Sequence, residues 1–265
     1  MGHFTCNHCV CEGGSGPRGL FLNKLCSDLL VSDFAENITV VVPTAGDTEA
    51  VRGVLLQLQA LGLRWIVVQA QDSQTSASAV PTDMTLHGQW LHAPASRGGQ
   101  IAAGIAQCAT DWVWVVHDDS EFDESAVDCL KALIEAEQPM WGRFDVQFRE
   151  QTMGLRLVAS LMNTRSRLSK ICTGDQGMFF HCALLTDIGG FPAQPLMEDI
   201  EVSKQLKRRA ATQFVAAREV IVTSGQRWLV RGFWSTIMSM WSLRLHYYFG
   251  AKPAALYERY YGRRS

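Results

Sequence analysis

The sequence predicts an α/β protein built on a mostly parallel, doubly wound sheet. Three short apolar runs are typical of strands buried on both faces of such a sheet, namely ITVVVP (38–43), RWIVVQA (64–70) and WVWVV (112–116). Segments with the apolar spacing of helices alternate with these runs. Because parallel neighbouring strands need helical crossovers between them, this alternation favours a sheet with helices on both faces.

The first half of the chain contains three predicted helices. Residues 47–61 place Val51, Leu55 and Leu58 at helical spacing between the first and second apolar runs. Residues 97–109 form a second predicted helix before WVWVV, and residues 123–136 form a third one after it. These helices supply the crossovers that the parallel strands need.

The second half is less regular. RFDVQF (143–148) alternates between polar and apolar residues, which predicts an edge or antiparallel strand. The other predicted elements are a helix (154–168), the strand GMFFHC (177–182), a short helix, the turn GGFP (189–192), an amphipathic helix (198–209), one or two strands within 212–224, and one long aromatic helix (227–249).

Residues 1–37 are predicted to be a poorly ordered N-terminal extension, because they are rich in Cys, His and Gly and lack a hydrophobic period. Zinc binding by Cys6, Cys9 and Cys11 with His3 and His8 is the alternative, but the second half of a usual zinc site is missing. We therefore expect one globular domain at 38–226, followed by a C-terminal segment at 227–265 that packs on it.

Composition and charge restrict the function. The net charge of −2 disfavours nucleic-acid binding, and the scattered cysteines indicate a reduced, cytoplasmic protein. We find neither an apolar run of 18 or more residues nor the apolar core of a secretory signal. The charge is uneven, since residues 227–265 carry seven Lys or Arg and one Glu, a net charge of +6.

Adjacent carboxylates follow the third apolar run. Asp118 and Asp119 come directly after His117, at the carboxyl end of a predicted central strand, where ligands bind in open α/β sheets. Mg²⁺ or Mn²⁺ prefers oxygen ligands and binds one or two carboxylates together with substrate phosphates. The alternative is a solvated loop whose acids only cap the helix that begins near Asp123.

Several motifs occur in a fixed order along the chain. They are VVPTAGD (41–47), SRGGQIAAGIAQCATDW (96–112), VHDDS (116–120), NTRSRL (163–168), TGDQGMFF (173–180), GGFP (189–192), LMEDIEVSKQLKRR (196–209) and TSGQRW (223–228). Together they resemble a family 2-type glycosyltransferase with the GT-A fold. More narrowly, they resemble the subgroup known as radical-SAM/selenodomain-associated transferase 2. The likeness implies a Rossmann-like, mostly parallel sheet flanked by helices, with a C-terminal aromatic helical segment.

The resemblance assigns roles to the acidic residues. HDD stands where such enzymes carry Asp-x-Asp, so Asp119 is expected to bind the metal (Mg²⁺ or Mn²⁺) and the diphosphate, and Asp118 the sugar or ribose. Asp199, with Glu198 as second choice, is the expected general base for the acceptor. The alternative for this second pair is a helix N-terminus rich in acids that complement the macrodipole.

Further donor-site residues follow from the same resemblance. Pro43 and Thr44 lie in the first motif, Gln69 stands where relatives carry an Asp that binds uracil, and Arg97 precedes Gly98-Gly99. Arg227 of TSGQRW is expected to pair with diphosphate oxygens, although a cationic helix start near a lipid surface is the alternative. A UDP-sugar is the default donor, and Gln69 leaves the base open, since an amide can bind several bases.

Acceptor-side residues are expected to be Asp175, Gln176 and Trp228, with a solvated turn as the alternative for Asp175. The aromatic and basic residues after 227 suit either a core helix or peripheral contact with a membrane at its inner face, and the latter would allow a lipid-linked acceptor. The implied function is a metal-dependent, inverting glycosyltransferase whose acceptor is unknown. A catalytically silent nucleotide-sugar-binding subunit and a nucleotidyltransferase are the alternatives.

Overall fold

A computed structural model describes residues 34, 36–46, 48–71 and 88–262. Of the predicted extension 1–37, residues 1–33 and 35 lie outside the described residues. Phe34 is described, and its ring is 5% exposed and belongs to the hydrophobic core although it lies within the predicted extension. The Lys131 ammonium lies 5.6 Å from the centre of that ring.

The described residues form one eight-stranded sheet with the strand order β3-β2-β1-β4-β7-β6-β8-β5. The strands are β1 (Ile38–Thr44), β2 (Arg64–Gln71), β3 (Gly88–Pro94), β4 (Trp112–Val115), β5 (Glu121–Phe122), β6 (Trp141–Phe148), β7 (Phe179–His181) and β8 (Phe214–Thr223). The pairs β3-β2, β2-β1, β1-β4 and β6-β8 are parallel. The short strand β7 is antiparallel to both β4 and β6, and β5 is antiparallel to β8.

Helices cover the sheet. They are α1 (Thr48–Ala60), α2 (Arg97–Ile105), α3 (Glu124–Glu135), α4 (Met153–Ser169), α5 (Cys182–Asp187), α6 (Glu198–Arg209), α7 (Gln226–Arg231), α8 (Phe233–Tyr248) and α9 (Pro253–Tyr261), with 3₁₀ turns at Gly174–Gln176 and Ala211–Gln213. None of the helices within the described residues is long and apolar enough to cross a membrane.

Successive residues of β1 point to opposite faces of the sheet, so two cores form. Val40 and Val42 pack with Leu55 of α1 and Leu130 of α3, whereas Val41 lies in the core of the opposite face. That second core also contains apolar side chains of α2 and α6. The predicted doubly wound α/β architecture is therefore confirmed.

For 143–148 the sequence predicted an edge or antiparallel strand. Strand β6 is interior and not an edge; it is antiparallel to β7 at Trp141 and Gly142, and parallel to β8. Its charged residues Arg143 and Asp145 belong to a largely buried hydrogen-bond network, whereas Gln147 is exposed. Arg143 is fully buried, pairs with Asp145, and donates to the carbonyl oxygens of Asn163 at 2.9 Å and Ala217 at 3.3 Å. Arg143 and Asp145 therefore alternate with apolar residues because they have partners inside the protein. The period of the sequence pattern alone does not distinguish such partners from solvent exposure.

The single long helix predicted at 227–249 is broken. Gly232 has a φ of 84°, in the left-handed region that favours glycine, and it separates α7 from α8. Strand β3 was not predicted, because an edge strand with half-exposed residues lacks the continuous apolar run of a central strand.

Candidate active site

A cleft of about 440 Å³ opens at the carboxyl ends of β1 and β4. Strand β1 pairs with β2 on one side and β4 on the other, so the cleft lies at the point where the order of the parallel strands reverses. Its walls include Pro43, Thr44 and Ala45 after β1; Ser96, Arg97 and Gln100 of the α2 start; His117, Asp118 and Asp119 after β4; Asp175; Pro195 and Leu196; Thr223, Ser224 and Trp228; and Tyr257 and Tyr261.

The first turn of α2 is fixed against the sheet. Ser96 caps this helix, and its hydroxyl oxygen accepts from the Gly99 backbone N–H at 3.2 Å. The Gln100 amide donates to the carbonyl oxygens of Thr44 at 2.8 Å and Val68 at 2.7 Å, which ties the helix to β1 and β2. The helix N-terminus therefore faces the cleft in a defined orientation, with the partial positive charge that favours anions.

Asp118 and Asp119 lie together at the mouth of β4. Burial raises the pKa of Asp118, while a hydrogen bond from Thr44 partly opposes that rise and the charge of Asp119 adds to it. The Asp119 carboxylate accepts from the Thr223 hydroxyl at 3.4 Å, and its backbone carbonyl accepts from Arg149 at 3.3 Å. The ionised form of Asp118 is therefore incompletely compensated by the protein.

Mg²⁺ or Mn²⁺ would fit this pair of carboxylates. The donors are oxygens, the cleft is open, and a cation would offset the cost of ionising Asp118. Among the described residues, no group of three or more His, Cys, Asp or Glu side chains is arranged to hold a metal. A bound cation would therefore need phosphate or water oxygens to complete its coordination.

A chain of polar contacts links the cleft to α6. Arg97 Nη2 lies 2.8 Å from His117 Nε2, Arg97 Nε lies 3.0 Å from Glu198 Oε1, and His117 Nδ1 lies 3.3 Å from Asp175 Oδ1. A guanidinium can only donate, so His117 accepts on Nε2 and carries its proton on Nδ1, which faces Asp175. His117 therefore orients two cleft residues of opposite charge.

Glu198 and Arg97 shift each other's pKa. Burial, opposed by the charge of Arg97 and assisted by the negative charge of Asp199, raises the pKa of Glu198 to about 7. Burial acts to lower the pKa of Arg97, but the carboxylates of Glu198, Asp175 and Asp199 outweigh it and the net shift is upward. Arg97 is therefore a permanent cation in the cleft wall.

Asp199 is held by backbone groups. One carboxylate oxygen accepts from the Gly174 N–H at 3.0 Å, and the other accepts from the Ile200 N–H at 2.7 Å. Met197, immediately before the acid pair, has a left-handed φ of 64°, which is rare for a residue other than glycine. Asp199 does not line the cleft but lies behind the Gly174–Asp175 segment. Asp175, in that segment, does line it.

Some of the other predicted residues line the cleft, and others do not. Pro43, Thr44 and Trp228 line it, and Trp228 also packs on Phe148 with ring centres 6.0 Å apart. Gln69 is 2% exposed, and its side-chain oxygen accepts from the Trp90 indole N–H at 3.1 Å. Arg227 lies in α7, and its diphosphate role stays a prediction.

Gln176 is not a wall of the cleft. It is fully buried, and its side-chain amide bonds Ser166 Oγ at 3.0 Å and the Thr173 backbone N–H at 3.2 Å. These bonds fix the 3₁₀ turn that carries Asp175, so Gln176 acts on the site through that turn. This corrects the expected direct contact of Gln176 with an acceptor.

Tyr257 and Tyr261 of α9 are cleft residues that the sequence interpretation missed. Their ring centres are 4.7 Å apart, and they lie one helical turn from each other. The available signal was their spacing of four residues in the aromatic tail, which also suits simple packing.

The sequence matches no protein-family model and no curated protein. Among solved structures, a mycobacterial protein is similar, with a TM-score of 0.50 and 14% identity over 73% of this chain and 68% of that chain. Glucosyl-3-phosphoglycerate synthase from Mycobacterium tuberculosis, solved with phosphoglyceric acid, has a TM-score of 0.49 and 13% identity over 73% of this chain and 74% of that chain.

S. aureus TarS 1–349, solved with UDP-GlcNAc, has a TM-score of 0.48 and 15% identity over 71% of this chain and 56% of that chain. A longer TarS chain is covered over 35% of its length. At such identities the likeness concerns the fold alone. With the sheet described above, the likeness to the mycobacterial protein confirms the predicted α/β fold, a mostly parallel sheet flanked by helices.

Proposed function

We propose that this protein is a glycosyltransferase that moves a sugar from a nucleotide-sugar donor to an acceptor. The observation that carries the proposal is the cleft at the strand-order reversal. There, two adjacent carboxylates, Asp118 and Asp119, face the N-terminus of α2 and the permanent cation Arg97. A diphosphate fits this combination, because the helix N-terminus and Arg97 bind anions while a carboxylate-held cation bridges phosphate oxygens.

The donor side is formed by the residues after β1 and β4. Asp119 would hold Mg²⁺ or Mn²⁺ together with the diphosphate, and Asp118 would contact the sugar or ribose. The metal would neutralise charge on the departing nucleoside diphosphate. Pro43 and Thr44 would lie beside the nucleoside. UDP is the default nucleotide of the proposed donor. Gln69 would act on the ligand through its neighbour Ala70, which lines the cleft.

The acceptor side is formed by the turn at Gly174–Gln176 and the start of α6. Asp199 would take the proton from the acceptor hydroxyl, in a single displacement that inverts the sugar. The backbone N–H groups of Gly174 and Ile200 orient its carboxylate and leave each oxygen a second lone pair. Glu198, buried behind Arg97, would act by positioning that guanidinium.

The C-terminal segment is proposed to contact the inner face of a membrane. On α8, Trp234, Met238, Trp241, Leu245 and Tyr248 are 58–76% exposed and recur at intervals of three or four residues, so they form one apolar stripe. An exposed stripe rich in aromatic residues, on a segment with a net charge of +6, suits an anionic lipid surface.

The donor site is tested by calorimetry, which measures the binding of nucleoside diphosphates to the full chain with and without Mn²⁺. We expect UDP to bind in a Mn²⁺-dependent way and Asp119→Asn to abolish that dependence. Asp128→Asn is the matched control, because Asp128 is an exposed aspartate of α3 outside the cleft. Equal Mn²⁺-dependent binding by Asp119→Asn and wild type would refute the role of Asp119.

Turnover separates the proposed enzyme from its alternatives. A transferase releases nucleoside diphosphate from a nucleotide sugar, whereas a silent binding subunit binds the donor without releasing it. A nucleotidyltransferase would instead consume a nucleoside triphosphate and release pyrophosphate. Assays for both leaving groups on one preparation therefore discriminate the three functions.

A further inference from the structure

Two arginines, Arg165 on α4 and Arg244 on α8, lie close together outside the wall of the donor cleft. Burial lowers the pKa of Arg165 to about 10, and the positive charge of Arg244 lowers it further. Burial also lowers the pKa of Arg244. Like charges that are brought together and partly desolvated are unfavourable unless an anion joins them.

Arg165 lacks the partners that buried arginines usually have. Its Nε and Nη2 atoms are buried and have no hydrogen-bond partner among the described residues. Within the described part of the chain, Arg143 and Arg97 also have a buried Nε without a hydrogen bond, but the terminal nitrogens of Arg143 bind two backbone carbonyls and Asp145, and Nη2 of Arg97 contacts His117. Arg165 differs because its terminal Nη2 is buried without a partner in that part of the chain as well. Because the protein supplies acceptors to these other guanidiniums, the unpaired donors of Arg165 point to an acceptor from outside the chain.

The arginine pair adjoins the acceptor side of the site. The charge of Asp199 acts on both guanidiniums, and the charge of Asp175 acts on Arg244. Asp175 lines the cleft, and Asp199 is bonded to the neighbouring Gly174. An anion held by the pair would therefore lie beside the proposed general base.

The first turns of helices α4 and α8 contact each other. Gly154 lies so close to Phe233 that an added Cβ would be 2.9 Å from the ring, and Arg165 and Arg244 each follow eleven residues later. At 100° per residue, each arginine falls between the buried face of its helix and an exposed apolar stripe. Leu157, Leu161 and Leu168 form the stripe of α4, and that of α8 is described above.

We propose that Arg165 and Arg244 bind a phosphate group of the acceptor. The assignment to an acceptor rests on the proposed glycosyltransferase function. Guanidinium forks match phosphate oxygens, and Nε with Nη2 of Arg165 forms one such fork. The phosphate belongs to a soluble phosphate ester or to a lipid headgroup, and the flanking apolar stripes are compatible with the second source.

Two phosphate monoester probes distinguish these sources. Glycerol 3-phosphate is titrated into the full chain by calorimetry, and co-sedimentation is measured with phosphatidylcholine vesicles that contain phosphatidic acid. We expect Arg165→Gln and Arg244→Gln to weaken binding of the preferred probe at least about tenfold, as for a lost hydrogen bond to a charged group. Arg52→Gln, on the exposed face of α1, is the matched control and should bind as wild type.

Arg165→Lys keeps the charge but loses the fork, so its affinity for the preferred probe should lie between those of wild type and Arg165→Gln. Thermal melting checks that each variant is folded. Wild-type affinity in both glutamine variants, or no binding of either probe to the wild type, would overturn the proposal. UDP binding with Mn²⁺ is measured on the same proteins and should be unchanged. If the wild type binds no UDP but the arginine variants still bind the phosphate probe more weakly than wild type, the donor assignment fails and the anion site stands.

Discussion

Glu198 makes the stability of the protein depend on pH. In the unfolded chain its carboxyl has the ordinary pKa of 4.5, whereas burial raises the pKa of the folded form to about 7. Between these values the folded protein holds a proton that the unfolded chain has lost. The Glu198 contribution to stability is therefore fully present below pH 4.5 and is lost as the pH rises through 7.

The size of the effect follows from the same values. At about 1.4 kcal/mol for each pKa unit, the interval between 4.5 and 7 corresponds to about 3 kcal/mol at pH 8. Glu198→Gln removes the ionisation but keeps the shape. We expect the variant to melt only about 2–3 °C above wild type at pH 5, because half a pH unit above 4.5 corresponds to less than about 1 kcal/mol. At pH 8 we expect it to melt higher by up to about 10 °C, from about 2–4 °C for each kcal/mol in a chain of this size.

Thermal unfolding of wild type and Glu198→Gln from pH 5 to pH 8 measures this difference, and titrations common to both proteins cancel. Glu135→Gln, which removes an exposed carboxylate of α3 by the same substitution, is the control. A lower melting temperature of Glu198→Gln at pH 8 would mean that the ion pair with Arg97 outweighs desolvation. In that case the reasoning from burial is refuted.

Three further outcomes are expected. Asp199→Asn should lower the release of nucleoside diphosphate about 10²–10⁴-fold without changing UDP affinity, and full turnover would remove Asp199 from the mechanism. Phe34→Ala should lower the free energy of unfolding by about 3–5 kcal/mol in urea denaturation, and a loss below about 1 kcal/mol would contradict its burial. Replacing Trp234 and Trp241 together by Ser should reduce co-sedimentation with anionic vesicles at low salt, and wild-type sedimentation by this variant would contradict membrane contact.

The central strands and the acids at their ends were predictable because local sequence determines them. Val, Ile and Trp runs mark strands buried on both faces, and helix α6 begins at Glu198 and ends at Arg209, as its apolar spacing predicts. Asp118 and Asp119 lie in the cleft because the carboxyl ends of parallel strands share one edge of the sheet.

The missed features depend on contacts between distant parts of the chain. The ion pair of Arg97 with Glu198 joins residues about a hundred positions apart, and no local pattern encodes it. Gln176 was assigned to the cleft by motif order, but its burial against Ser166 is a property of how α4 packs on the turn. The break at Gly232 escaped prediction because an isolated glycine is tolerated within helices and its φ is known only in the folded chain.

The three-residue strand β7 has a consequence for how the protein folds. The parallel pairs β1-β2 and β2-β3 join strands that are neighbours in sequence, whereas β1-β4 and β6-β8 each pair residues more than seventy positions apart. The strand order divides into one group with β1, β2, β3 and β4 and another with β5, β6 and β8. Strand β7 alone joins these two groups of strands within the described sheet. Since distant pairings form slowly, we expect β1, β2 and β3 to gain protection from hydrogen exchange before β4, β6 and β8. We then expect the cleft to assemble last. Its wall contains Thr223 at the end of β8, which donates a hydrogen bond to Asp119 beside Asp118.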